Sequence, residues 1–394
     1  MITEREKLTN QEWETMEREE LQEIAVQQET QRVAIRQKEL IKYLALAGIV
    51  AVSLLGFLSL SSISTASAAE TIRVGHFSWP GYGFLYVNEA NNLSPDVNFE
   101  FTIIEDPVQL FALLGTNQLD VVFSTIEFGP ILAAEDMGSK LVALSNLAFG
   151  SDDIIARPDI KSAADLKGKQ VAVMEGGLSH IMMGIWLEQN GVNWDEVEMV
   201  NLFAGDAAAA MISGQVAAAE LWEPFKSQVL DNLPGSHSVA GSLEPYWLES
   251  GLIADAIFMS NDLLENRREL AVKALQGIFA GVEHWRNNAD SSNKIIADAV
   301  GFPIEDVEAI IGNGRLTNVV SENDTKDGTL YIYSLKDTAR FCGVLEGDPP
   351  FGQKNGQMYN HWDLTQKWWI RFGFMTSTTD SATGLDCALV QEAL

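Results

Sequence analysis

The chain has 394 residues, 46% of them hydrophobic and 9% aromatic, which excludes a disordered polypeptide and allows two compact domains with sizeable cores. Acidic residues number 55 against 26 basic ones, a net charge of -29. No basic surplus exists to neutralise phosphates, so no nucleic acid partner is expected, and the acidity itself serves solubility.

Residues 1–31 are charged and Gln-rich without Pro or Gly, a composition for a polar helix or for no fixed structure. A basic patch follows, Arg32, Arg36, Lys38 and Lys42 against Glu39 alone, and then 18 residues, 43–60, without a charge. Ala66-Ser67-Ala68 next fits the small-x-small pattern of a signal peptidase site. Positive charge ahead of an apolar run predicts residues 1–42 in the cytoplasm and the remainder exported. Residues 43–69 read either as a cleaved signal peptide or as a signal anchor, because 18 apolar residues lie near the minimum for a membrane span. No Cys lies just after the run, which excludes a lipid anchor of the bacterial lipoprotein kind.

From residue 71 onward, short apolar runs alternate with helical patterns. Strands are predicted at 71–77, 98–104, 120–124 and 141–146, with helices at 84–91 and 108–114. A second series gives a strand at 170–174, a helix at 179–190, a strand at 198–202 and a helix at 207–213. A returning strand at 252–258 precedes a mainly helical stretch, 261–312. Such alternation predicts an α/β chain built on parallel sheets.

The stretch RVGHFSWPGYGFLY (73–86) puts two large aromatics, Trp79 and Tyr82, on the turn between a strand and a helix. In open α/β sheets, ligands bind outside the carboxyl ends of strands, and aromatic side chains there enclose and desolvate a small solute. Pro80 and Gly81 fix the turn; the alternative is that the aromatics pad an interface. Two segments also resemble each other, LLGTNQLDVVFSTIEF (113–128) and MISGQVAAAELWEPF (211–225). In each, a Gly (Gly115, Gly214) is expected to cap a helix before a strand whose exit carries Thr125 and Glu127, or Trp222 and Glu223. The pattern predicts two similar lobes, each presenting a strand end to the other.

Two cysteines, Cys342 and Cys387, form either a disulfide in an oxidising compartment or two buried thiols. With five scattered His they give no zinc spacing; no metal and no cofactor are expected.

The strand leading into WPGY, then GSDDIIARPDIKSAADLKGKQVAV, EGGLSH and LWEPF, together resemble the solute-binding proteins of nitrate, sulfonate, taurine and bicarbonate importers, a group that includes the thiamine-pyrimidine-precursor proteins. The likeness spans residues 71–345. It implies a bilobal periplasmic binding fold with two parallel-rich sheets flanked by helices and a ligand cleft between lobes. Residues 70–155 would open lobe 1, 156–250 form lobe 2 and 251–345 return to lobe 1, leaving 346–394 as a C-terminal extension. The resemblance further implies a protein without chemistry of its own, handing a small solute to an ABC permease in the inner membrane.

Carried over onto this sequence, the resemblance places Ser78, Trp79 and Tyr82 in the cleft, with Thr125 and Glu127 at the exit of the next strand. Ser151, Asp152 and Asp153 would sit near the crossing between lobes, with hinges near 150–158 and 245–255. Gly177, Ser179 and His180 lie where a second-lobe helix starts, an anion site on physical grounds. Trp222 and Glu223 would face Trp79 from the other lobe, and Asp255 would add a carboxylate. Asp153 and Asp255 have a blander alternative, pairing with Arg157 or capping helices, and His180 one as a surface residue. Carboxylates and Trp walls suit an amine-bearing solute, and helix starts suit a sulfonate; a taurine-like molecule satisfies both. Two other functions compete. One is an enzyme on the same fold, such as a pyrimidine-precursor synthase or dehydratase, although the Cys-rich motif of the related enzymes is missing. The other is a membrane-tethered sensor domain.

Overall fold

The computed structural model describes residues 69–312 and 328–394. The charged segment 1–42, the apolar run 43–60 and Ala66-Ser67-Ala68 lie outside the described residues.

The first series of runs becomes β1 (Glu70–His76), α1 (Phe84–Ala90), β2 (Val97–Ile103), α2 (Pro107–Gly115), β3 (Val121–Thr125), α3 (Phe128–Ala134) and β4 (Ser139–Ala148). Residues 149–151 cross to a second sheet, made of β5 (Asp152–Ala156), β6 (Gln170–Val173), β7 (Glu198–Asn201), β8 (Ala218–Trp222) and β9 (His237–Gly241). Between these strands run α4 (Leu178–Gln189), α5 (Ala204–Ser213) and α6 (Phe225–Asn232). After α7 (Pro245–Ser250), β10 (Ala254–Ser260) re-enters the first sheet, followed by α8 (Asn261–Asn266), α9 (Arg268–Asn287), α10 (Ala289–Val300) and α11 (Ile304–Ile311). β11 (Leu330–Ile332) and α12 (Leu335–Phe341) complete this lobe.

The strand orders are β11-β4-β10-β3-β1-β2 and β7-β6-β8-β5-β9. Both sheets are mixed, where a parallel-rich pair was expected. β2-β1-β3 and β7-β6-β8 are parallel, while β10 and β5 run antiparallel to both of their neighbours. The reason is the crossing itself. β1, β3, β6 and β8 finish at the gap between the sheets, whereas β5 and β10 begin there and must run the other way. β10 is buried along its whole length and β3 at all but its last residue, so both read as near-continuous apolar runs.

The two repeated segments occupy equivalent places, each passing from a helix into the central strand of its lobe. Gly214 caps α5 with a left-handed φ of 81°. Gly115 does not cap α2; it lies in the last turn, where a Cβ would run into the Met137 carbonyl oxygen. A shared Gly thus answers two different steric demands.

The C-terminal extension is ordered by packing that its composition does not announce. α13 (Gln357–Arg371) lies against α3, α4 and α7, and the Trp369 indole donates to the Glu127 carbonyl at 2.9 Å. Past α14 (Ser381–Gly384), Cys387 is joined by a disulfide to Cys342, with 5.6 Å between Cα atoms, and α15 (Ala388–Ala393) ends the chain against α9.

Candidate functional site

Both sheets turn their strand ends toward one cleft of about 900 Å³, counted with its open mouth. β1 leads directly into Phe77-Ser78-Trp79 and a single 3-10 turn, Pro80–Tyr82, closed by a Tyr82 N–H to Trp79 carbonyl bond of 3.1 Å. Proline at the first position presets the turn, which swings Trp79 and Tyr82 into the cleft wall. Both are deeply packed, at 8% and 2% exposure, with Tyr82 against Phe123 at a centroid distance of 5.5 Å. Across the cleft, β8 ends in Trp222, half-buried and edge-on to Phe225 at 6.2 Å.

The strand pairing gives the lobes matching carboxylates. In the first lobe the last residue of β3, Thr125, pairs with Asp255 of β10. In the second, the last residue of β8, Trp222, pairs with Asp152 of β5. All four line the cleft, so each lobe offers one buried aspartate at its central strand end.

Burial dominates the electrostatics. It pushes Asp255 up to about 7, and hydrogen bonds from Tyr82, Asn146 and Trp79 pull the other way. Asp152 rises to about 6 by burial, with the Ser151 hydroxyl and Lys226 opposing. Glu127, fully buried behind the Thr125 hydroxyl that donates to it at 2.6 Å, is pushed up to about 8. Glu220 is driven well above the carboxylate range by burial, and among the described residues neither of its oxygens nor the Glu127 Oε2 atom has a partner.

Several expected site residues lie elsewhere. Asp153 follows Asp152 on β5 and therefore points to the other face of the strand. It lies 3.9 Å from the Lys226 ammonium, not beside Arg157, and Glu223 lies 3.1 Å from that ammonium. Neither carboxylate lines the cleft, and Glu127 sits just behind its wall. Gly177, Ser179 and His180 also lie off the lining, which Met174 and Leu178 supply instead. The Ser179 hydroxyl accepts from the Met174 N–H at 2.7 Å. His180 is buried, neither at the surface nor in the cleft, stacked between Trp194 and Phe372 at 4.4 and 4.9 Å. Burial lowers its pKa to about 4. Phe372 follows α13, in the extension that sequence reasoning left unplaced.

Ser78 reaches the lining with a partner the sequence reading missed: its N–H and hydroxyl both donate to Glu105, at 3.0 and 2.6 Å. Phe77, Asn146, Phe203, Phe225, Ile253, Phe302 and Leu330 complete the walls. Glu105 and Phe203 each lie two residues past a strand end, where the strand-end rule finds them; Phe302 and Leu330 come from the return segment and carry no local signal. Among the described residues no group of His, Cys, Asp or Glu is arranged to hold a metal ion.

Two α/β lobes joined by crossing segments around one solute-sized cleft define a periplasmic-binding-protein fold. The chain belongs to the NMT1/THI5-like family, whose pattern matches residues 84–292. It is 28% identical over 226 residues to a Brucella abortus (strain 2308) protein named as a binding protein, covering 57% of this chain and 69% of that one. The taurine-binding periplasmic protein of Escherichia coli (strain K12) is 24% identical over 195 residues, 48% of this chain and 59% of the relative. In fold the chain is similar to the alkanesulfonate-binding protein SsuA of Xanthomonas axonopodis pv. citri bound to MOPS, with a TM-score of 0.60 and 14% identity, over 82% of this chain and 99% of that one.

Proposed function

We propose that this chain is the extracytoplasmic solute-binding component of an ABC importer, closing its two lobes on a small amine-bearing solute and presenting it to a permease in the inner membrane. The carrying observation is the matched pair Asp255 and Asp152, one per lobe, set among Trp79, Tyr82 and Trp222. A solute gripped by both aspartates ties the lobes together. In this reading the body works in the periplasm, and residues 43–60 are its export signal or its tether. The relatives named as binding proteins support the role. An enzyme would want a nucleophile paired with a base; both cysteines are bridged, and no His lines the cleft.

A thermal-shift screen of small solutes identifies the ligand, since a solute at 100 times its Kd adds about 2.7 kcal/mol of stability. Small-angle scattering with a saturating hit should then show a smaller radius of gyration; an unchanged radius sinks the closure reading. For the same solute, Trp222→Ala should weaken binding at least tenfold, about 1.4 kcal/mol, and leave the circular dichroism spectrum intact. Glu223→Gln should matter less, because Glu223 faces Lys226 and not the cleft. If Trp222→Ala leaves affinity unchanged, the aromatic wall plays no part in recognition.

A further inference from the structure

We propose that the cleft is built for a small organic cation in preference to a sulfonate or a taurine-like zwitterion. This deepens the binding-protein reading and rests on it. Asp152, Asp255 and Glu105 line the cleft, and among the described residues no Lys, Arg or His does. Lys226, whose charge acts on Asp152, is buried and already engaged: it donates to the Gly150 carbonyl and lies 3.1 Å from Glu223 and 3.9 Å from Asp153.

Helix starts are the other source of positive potential for an anion, and two of those around the cleft are occupied by carboxylates. At α6 the Glu223 carboxylate accepts from the Ser227 N–H at 3.3 Å. At α2 the Asp106 side chain accepts from Val108 and Gln109, at 2.8 and 3.4 Å. At α4 and α5 no side chain caps the start, and the apolar side chains of Met174, Leu178 and Phe203 front the cleft there.

Behind the lining stand further carboxyls. Glu127 Oε2 and both Glu220 oxygens are buried without a partner among the described residues. An anion in this cleft meets carboxylates with no basic side chain among the described residues to offset them. A cation meets two aspartates set among Trp79, Tyr82 and Trp222, aromatic residues of the kind that attract ammonium groups.

The test is calorimetric titration of the purified protein at neutral pH with a charge series on a shared short scaffold. Choline, ethanolamine and putrescine are the cations, 3,3-dimethylbutanol is the neutral isostere of choline, taurine the zwitterion and isethionate the anion. At least one cation should bind, about tenfold or more tighter than 3,3-dimethylbutanol and about a hundredfold or more tighter than isethionate and taurine. Asp255→Asn and Asp152→Asn should each weaken the best cation at least tenfold while leaving the weak neutral binding alone, an asymmetry that mere loosening of the fold does not produce; thermal unfolding verifies that each variant is folded. Equal or tighter binding of taurine, isethionate or the neutral isostere overturns the proposal, and so does the absence of binding by every cation. The two readings fail separately. A sulfonate that binds and compacts the protein leaves the importer role standing and removes the cation inference; a cation that binds without compaction does the reverse.

Discussion

Removing the disulfide, as Cys342→Ala together with Cys387→Ala, should lower unfolding stability by up to about 4 kcal/mol, the chain-entropy value for a loop of this length. The bridge closes 45 residues, and that segment contains α13, whose packing spans α3 in one lobe and α4 in the other. Alanine suits the test because both positions are buried, and a serine hydroxyl there would add a separate cost. The native ends stay anchored without the bridge. Arg268 pairs with Asp386 and, at 2.8 Å, with Glu392, and Gln276 donates to the Ala393 carbonyl at 3.1 Å. The loss should therefore come chiefly from the freed unfolded chain, shifting the urea midpoint while the native near-ultraviolet spectrum persists. A midpoint that does not move between the oxidised wild type and the double variant shows that the bridge adds nothing to stability.

The fold was legible because its strands are buried and its helices are amphipathic in series. The strand at 71–77 appears one residue earlier, as Glu70–His76, and the helix at 179–190 appears as Leu178–Gln189. Sheet direction was less legible. Apolar runs such as those of β4, β5 and β10 look alike whichever way they run, and only the crossings fix their sense. At the site, the strand-end rule pointed to Trp79, Thr125 and Trp222, which line the cleft because the chain leaves the sheet there and side chains face the gap. Asp153, expected from the resemblance, and Glu223, at a strand exit, lie off the lining beside a buried lysine that takes their charge. His180, expected at a helix start, lies off it too, among the aromatic neighbours Trp194 and Phe372 far away in sequence, and no local pattern announces such a stack.

The carboxyl cluster behind the cleft predicts how the protein answers pH. Glu127, Asp255 and Asp152 have folded-state pKa values raised to about 8, about 7 and about 6 by burial. A carboxyl raised in this way contributes its full stability below the unfolded-chain value, near 4, and loses it as pH climbs through the folded value. The ligand-free protein should therefore weaken steadily from about pH 4 to about pH 8, by several kcal/mol in all on linkage arithmetic, read as a falling urea midpoint. Among the described residues, the groups facing this cluster are Lys226, a cation, and Asp153, Glu220 and Glu223, which add negative charge. Glu127→Gln should flatten the upper part of the slope, since that side chain has no proton to lose. A bound cation reverses the balance. It favours the ionised carboxylates, so its affinity should rise with pH across the same window, and its binding should release protons that appear as buffer-dependent heats in calorimetry. A bound sulfonate, repelled by the same ionised groups, should show the opposite slope and take protons up. The sign of that slope therefore assigns the charge of whichever solute the cleft accepts, and a flat profile for a tight ligand removes the buried carboxyls from recognition.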